Sequence, residues 1–143
     1  MKFRFASLGL TLLIAVGVRA QGTFANPSLE QLRDDYNAST LVVRVTLKNT
    51  SVPSDDDHYY QCIVHGKFAD AFKGKIHKGE PIDFFVRAKD GCDVTLHKGD
   101  RFVFLLRRFN RQINAWVYEQ WSIHPFSKQT LANLRKLRKT GGA

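Results

Sequence analysis

Three features of the sequence predict a mainly β fold with a short α-helix at each end. From Thr40 onward the apolar residues recur with a period of two, in runs broken by proline, glycine and aspartate. Before and after that region, Ser28 and Ser127 open segments whose apolar residues recur at helical spacing. The only two cysteines of the chain, Cys62 and Cys92, bracket the middle of the β region.

Residues 1–20 carry a basic start (Lys2, Arg4), a thirteen-residue largely apolar run from Ala6 to Val18 and a small-residue end, Val18-Arg19-Ala20. That layout predicts a secretory signal peptide, because the run is shorter than the roughly twenty residues a membrane span needs. Residues 21–27 are expected to form a flexible arm, 28–139 the folded domain and 140–143 a tail. Cleavage would leave about 123 residues, enough for one domain with its own core. No later stretch is long and apolar enough to be expected to span a bilayer.

The elements follow in order. Ser28 caps a first helix with Gln31 three residues on, and Leu29, Leu32 and Tyr36 share one face. In the first strand Leu41, Val43, Val45 and Leu47 point one way, and Val42, Arg44, Thr46 and Lys48 the other. Pro53, Ser54 and the triplet Asp55-Asp56-Asp57 make the segment from Asn49 to Asp57 a loop; the triplet lacks the alternating ligands and glycine of a calcium loop. A second strand runs from His58 to Phe72 with a bend at Gly66. The third starts at Pro81 with Ile82, Phe84 and Val86 on one face. The turn Lys98-Gly99-Asp100 leads into a fourth over Phe102–Leu106. Arg107 to Asn114 reads as a polar connection, and Ala115 to Ile123 as a fifth strand. Ser127 caps a last helix through about Lys139, with Leu131, Leu134 and Leu137 as its apolar stripe, ended by Gly141-Gly142. This pattern suits a five-stranded Greek-key barrel of OB type, with an antiparallel sandwich as the alternative.

An even cysteine pair in a secreted chain predicts a disulfide between Cys62 and Cys92. Asn37-Ala38-Ser39 and Asn49-Thr50-Ser51 are acceptor sequences for N-glycosylation in that compartment. Lysine and arginine outnumber aspartate and glutamate 22 to 13, and removal of Lys2, Arg4 and Arg19 lowers the formal net charge only from +9 to +6. Such a surface favours polyanions, sulfated glycans among them, although solubility alone accounts for it equally well. Arg107, Arg108 and Arg111 form one basic group; Lys128, Arg135, Lys136, Arg138 and Lys139 form another on the last helix. Together they are candidates to bind a sulfated glycan such as heparan sulfate.

Tyr60-Gln61-Cys62, Phe72-Lys73-Gly74-Lys75, Cys92 followed by Lys98-Gly99-Asp100-Arg101-Phe102-Val103-Phe104, the Trp116 region and Thr130-Leu131-Ala132-Asn133-Leu134 occur in an order that resembles a known family. The chain is similar, over most of its length after residue 20, to the laminin-binding N-terminal domain family of agrin. That family lies within the netrin-like and tissue-inhibitor-of-metalloproteinases group of OB folds. The resemblance implies a non-catalytic extracellular matrix module whose last helix meets laminin through Leu134, with Leu131 and Leu137 as further candidates. The helix departs from the pattern at its end, where Gly141-Gly142-Ala143 replaces the next apolar position. Inhibition of metalloproteinases is the alternative. In that group it requires a cysteine at the mature N-terminus to chelate zinc, and no cysteine precedes Cys62.

Catalysis is not expected. The five histidines (His58, His65, His77, His97, His124) show no metal-binding helical spacing, and no nucleophile elbow or phosphate-cradling glycine loop is present, so no cofactor is implied. Aromatics and cations on a small barrel also suit single-stranded nucleic acid, but a secreted chain would not meet it.

Overall fold

The computed structural model describes residues 26–53, 59–92 and 99–143. The expected signal peptide, most of the arm, the Asp55–Asp57 triplet and the Lys98 end of the turn before the fourth strand lie outside the described residues. The elements are α1 (Leu29–Ala38), β1 (Leu41–Ser51), β2 (Tyr60–Lys73), β3 (Pro81–Arg87), a short 3-10 turn (Ala88–Asp90), β4 (Gly99–Asn110), β5 (Ala115–Pro125) and α2 (Lys128–Thr140). The five strands form a mixed sheet that closes in a ring, in the order β1-β2-β3-β5-β4. Neighbours are antiparallel except at the β3–β5 seam, which is parallel and joined at Phe85 and Glu119.

The period of two in β1 divides its side chains between two cores. Leu41, Val43, Val45 and Leu47 pack with Cys62, Val64, Phe68, Phe84, Val103 and Leu105 to fill the ring. Val42 faces the other way and joins Phe72, Phe102 and Phe104 under the helices, where Leu32, Tyr36, Leu134 and Leu137 cover them. Gly66 lets β1 and β2 approach closely: a side chain there would collide with Val45 Cγ1 and come within 2.9 Å of the Thr46 carbonyl oxygen. The register slips next to it, between Leu47 and Asn49, as the bend expected at that glycine requires.

Both helix caps form as the sequence predicts. Ser28 Oγ accepts from the Gln31 N–H at 3.1 Å, and Ser127 Oγ from the Thr130 N–H at 3.0 Å. Gly141 adopts a left-handed conformation that ends α2, and the Gly142 N–H then bonds the Leu137 carbonyl at 2.9 Å. Gly142 is packed against Asn37 and Tyr36, which ties the C-terminus of α2 to that of α1. The Cys62–Cys92 disulfide is present, with a Cα–Cα distance of 6.1 Å and a sequence separation of 30. Closing such a loop stabilises by on the order of 3 to 4 kcal/mol in the chain-entropy model.

Several strand boundaries differ from expectation, and in two places strand replaces an expected loop or connection. β1 continues through Ser51 rather than giving way to a loop at Asn49, because Asn49, Thr50 and Ser51 pair with His65, Val64 and Ile63. β4 continues through Asn110, so most of the expected polar connection is strand: Arg107 to Asn110 pair with Tyr118 to Ala115, and only 111–114 turn. Hairpin pairing overrides composition in both places.

Leu134 and Leu137 are fully buried and Leu131 is half-buried, so the apolar stripe of α2 faces the sheet. Truncation of Leu134 to alanine is expected to lower the unfolding free energy by about 2 to 5 kcal/mol, as for other buried leucines. Urea denaturation checks this, and an unchanged midpoint would place the side chain outside the packed layer.

Candidate functional site

Among the described residues, the β4–β5 hairpin carries the most exposed aromatic side chain, Trp116. Its turn is set by asparagine at both ends: Asn110 Oδ1 accepts from the Gln112 N–H at 2.8 Å, and Asn114 takes a positive φ of 50°. Phe109 and Trp116 are a cross-strand pair whose rings meet edge to face at 5.6 Å. The Arg107 guanidinium lies 5.3 Å from the Trp116 ring centroid. Ring and cation therefore form one amphipathic surface. Trp116 is 61% exposed and Ile113, at the tip, 52%. Exposed side chains of this size beside Arg107, Arg108 and Arg111 make the hairpin a candidate contact surface.

Behind the hairpin sits a buried carboxylate. Glu119 is 1% exposed, at the parallel seam. Its oxygens accept from Tyr60 Oη at 3.1 Å and Tyr59 Oη at 3.4 Å; Arg87 Nε lies 3.4 Å and Arg108 Nε 3.7 Å from Oε1. Arg87 Nε also donates to Asp90 at 3.1 Å. Burial alone would lower the Arg87 pKa, but the hydrogen bond with Tyr59 and the charges of Asp90 and Glu119 outweigh it and raise the pKa. The cluster ties β2, β3, β4 and β5 together.

The two basic groups expected to cooperate occupy different elements. Arg107, Arg108 and Arg111 belong to the hairpin, whereas α2 packs on α1 and β2. On α2, Lys128, Arg135, Lys136 and Lys139 are exposed, while Arg138 turns back to donate to the Ala71 carbonyl at 3.1 Å and lies over Phe72. Arg138 and Lys139, in the last turn, also complement the helix dipole. Of the glycosylation candidates, Asn49 is exposed on β1. The Asn37 amide donates to the Gly142 carbonyl at 3.3 Å.

A third cluster was not anticipated from sequence. Ser51 Oγ lies 2.7 Å from His65 Nε2, and His65 Nδ1 lies 2.6 Å from Asp83 Oδ1. With Nδ1–H donating to Asp83, Nε2 accepts from the serine, as in a nucleophile–base–carboxylate relay. The relay lies across β1, β2 and β3 on open sheet, and the Asp83 side chain is 61% exposed. Water competes for every bond there, whereas a working relay needs a shielded carboxylate and a substrate pocket. Strand register alone brings the three together, so no linear motif announced them. Tyr59, Tyr60, Arg87 and Glu119 were missed as well; the available signal was Glu119 as the single acidic residue of the fifth strand.

Asp35 fastens α1 to β5. Its carboxylate accepts from Trp121 Nε1 at 3.1 Å and Ser122 Oγ at 2.8 Å, and His124 Nε2 lies 3.1 Å away. Burial raises the Asp35 pKa, but the hydrogen bonds from His124, Ser122 and Trp121 and the charge of His124 outweigh it, leaving the pKa below its ordinary 3.8.

No protein-family model matches the chain, and no curated protein matches it in sequence.

Because the folded-state pKa of Asp35 is depressed, its contribution is fully present above pH 3.8 and is lost as the pH falls through the lower folded value. Asp35→Ala is expected to cost about 1 to 3 kcal/mol at neutral pH. Urea unfolding of both proteins across the acid range should show that difference shrinking below pH 3.8; growth on acidification would contradict the assignment.

Proposed function

We propose that this protein is a secreted, non-catalytic binding module of OB type, of the netrin-like group, that holds sulfated glycans of the extracellular matrix. The exposed pairing of Phe109 and Trp116 with Arg107 on the β4–β5 hairpin carries this reading. The aromatic rings offer flat apolar faces to sugar rings, and the guanidinium groups of Arg107, Arg108 and Arg111 donate charge-assisted hydrogen bonds to sulfate oxygens. The strand order β1-β2-β3-β5-β4 and the bent second strand support the OB assignment. The disulfide is consistent with an oxidising compartment.

A laminin contact through Leu131, Leu134 and Leu137 is set aside, because Leu134 and Leu137 are held between α2 and the sheet. The basic face of α2, with Lys128, Arg135, Lys136 and Lys139, extends the attraction for a polyanion without selecting it.

The protein is expected to elute from immobilised heparin above physiological salt, and a variant with Arg107→Ala, Arg111→Ala and Trp116→Ala to elute at clearly lower salt. Elution of the wild type below physiological salt would sink the glycan reading. For the exposed serine relay, a fluorophosphonate probe is expected to label wild type and Ser51→Ala equally; selective labelling of Ser51 would instead show an activated nucleophile.

A further inference from the structure

An open pocket of about 380 Å³ lies between the hairpin and the start of β2, bordered by Tyr59, Tyr60, Arg108, Asn110, Arg111 and Glu119. From its geometry we infer that the pocket is a subsite for one anionic pyranose residue, with Arg108 receiving the sulfate or carboxylate and Glu119 acting as the positioning residue that aims the guanidinium. The inference rests on the glycan-binding reading of the hairpin and refines it to a single site.

The Arg108 Nε lies 3.7 Å from Glu119 Oε1, so the inner edge of the guanidinium faces the buried carboxylate. A guanidinium carries five N–H donors in a planar fork, and an ion pair on the Nε side leaves terminal donors for a ligand. Such a fork matches the paired oxygens of a carboxylate or sulfate. Glu119 cannot follow Arg108 outward, because Tyr60 Oη and Tyr59 Oη donate to it and Arg87 stands 3.4 Å away. One side of the cluster is therefore rigid and the other is open.

Charge favours an anion. Arg87 is shared between Glu119 and Asp90, so Arg87 and Arg108 together balance the two carboxylates, and Arg111 adds the net positive charge at the mouth. The half-exposed Tyr59 ring packs edge to face on Tyr60 at 5.0 Å, which holds it as a fixed wall for the apolar face of a sugar. The pocket volume falls in the range of single small-ligand sites, roughly 300 to 1,000 Å³.

The test uses the full chain and a heparin-derived tetrasaccharide measured by calorimetry. Arg108→Lys keeps the charge but removes the fork, and is expected to weaken tetrasaccharide binding about tenfold. The same exchange on the helix, Arg135→Lys, is expected to change it by less than about twofold. Glu119→Gln is expected to reproduce the loss and, in NMR spectra, to abolish the tetrasaccharide-induced shift of the Arg108 Nε–H resonance while the core amide signals persist. Should the Glu119 variant unfold, the two arginine exchanges and the wild-type shift of that resonance decide the matter. Equal affinities for Arg108→Lys and Arg135→Lys would overturn the subsite, even with heparin retention intact. Loss of heparin retention in the wild type would remove the glycan reading itself.

Discussion

The parallel seam between β3 and β5 is the constraint on which the ring depends, because it joins strands that the chain does not connect directly and is anchored at the Phe85 and Glu119 pair. A buried carboxylate at such a seam destabilises unless its charge and lone pairs are satisfied. Here two tyrosine hydroxyls from β2 and its approach donate to it, with one arginine from β3 and one from β4 close by. The requirements of one side chain thereby link every strand around the seam. They also fix the base of the hairpin that projects beyond it.

The opposite side of the ring is organised by apolar surface rather than charge. Phe72, Phe102 and Phe104 point out of the ring, and an exposed cluster of that size would associate with other molecules. α1 and α2 cover it together, and the contact between Asn37 and Gly142 joins their ends. This explains why the leucines of α2 are buried and why its cations are left outside. The molecule therefore has a closed face, where helices complete a second core, and an open end, where the hairpin leaves aromatic rings and arginines in water.

Division of labour between these regions bears on function. A module that binds a polyanion needs fixed donors more than it needs a deep cavity, since each sulfate is met at the surface and long-range attraction brings it there. In the glycan reading proposed above, Arg107 stacked on Trp116 and Arg108 beside Glu119 would have less conformational entropy to lose than side chains without such neighbours. The Ser51–His65–Asp83 relay shows the converse: good distances on an open face, without the shielding that would give them chemical force.

Periodicity and capping were local enough to be read directly. The alternation in β1, the glycine in β2, the serine caps of both helices and the pairing of the only two cysteines all rest on neighbours in sequence or on simple count, and the structure contains each of them. Strand ends at Ser51 and Asn110 were not legible, because exposed polar and aromatic residues hide the period there while cross-strand hydrogen bonds sustain it. The hairpin arginines were visible as a basic group, but their aromatic support and the Glu119 cluster were not. Sequence by itself determined the elements, because propensity, alternation and caps act over a few residues. Only the tertiary structure decided which faces are closed and which are open, because Tyr59, Arg87, Arg108 and Glu119 meet through strand order around a ring, and no spacing along the chain encodes that meeting.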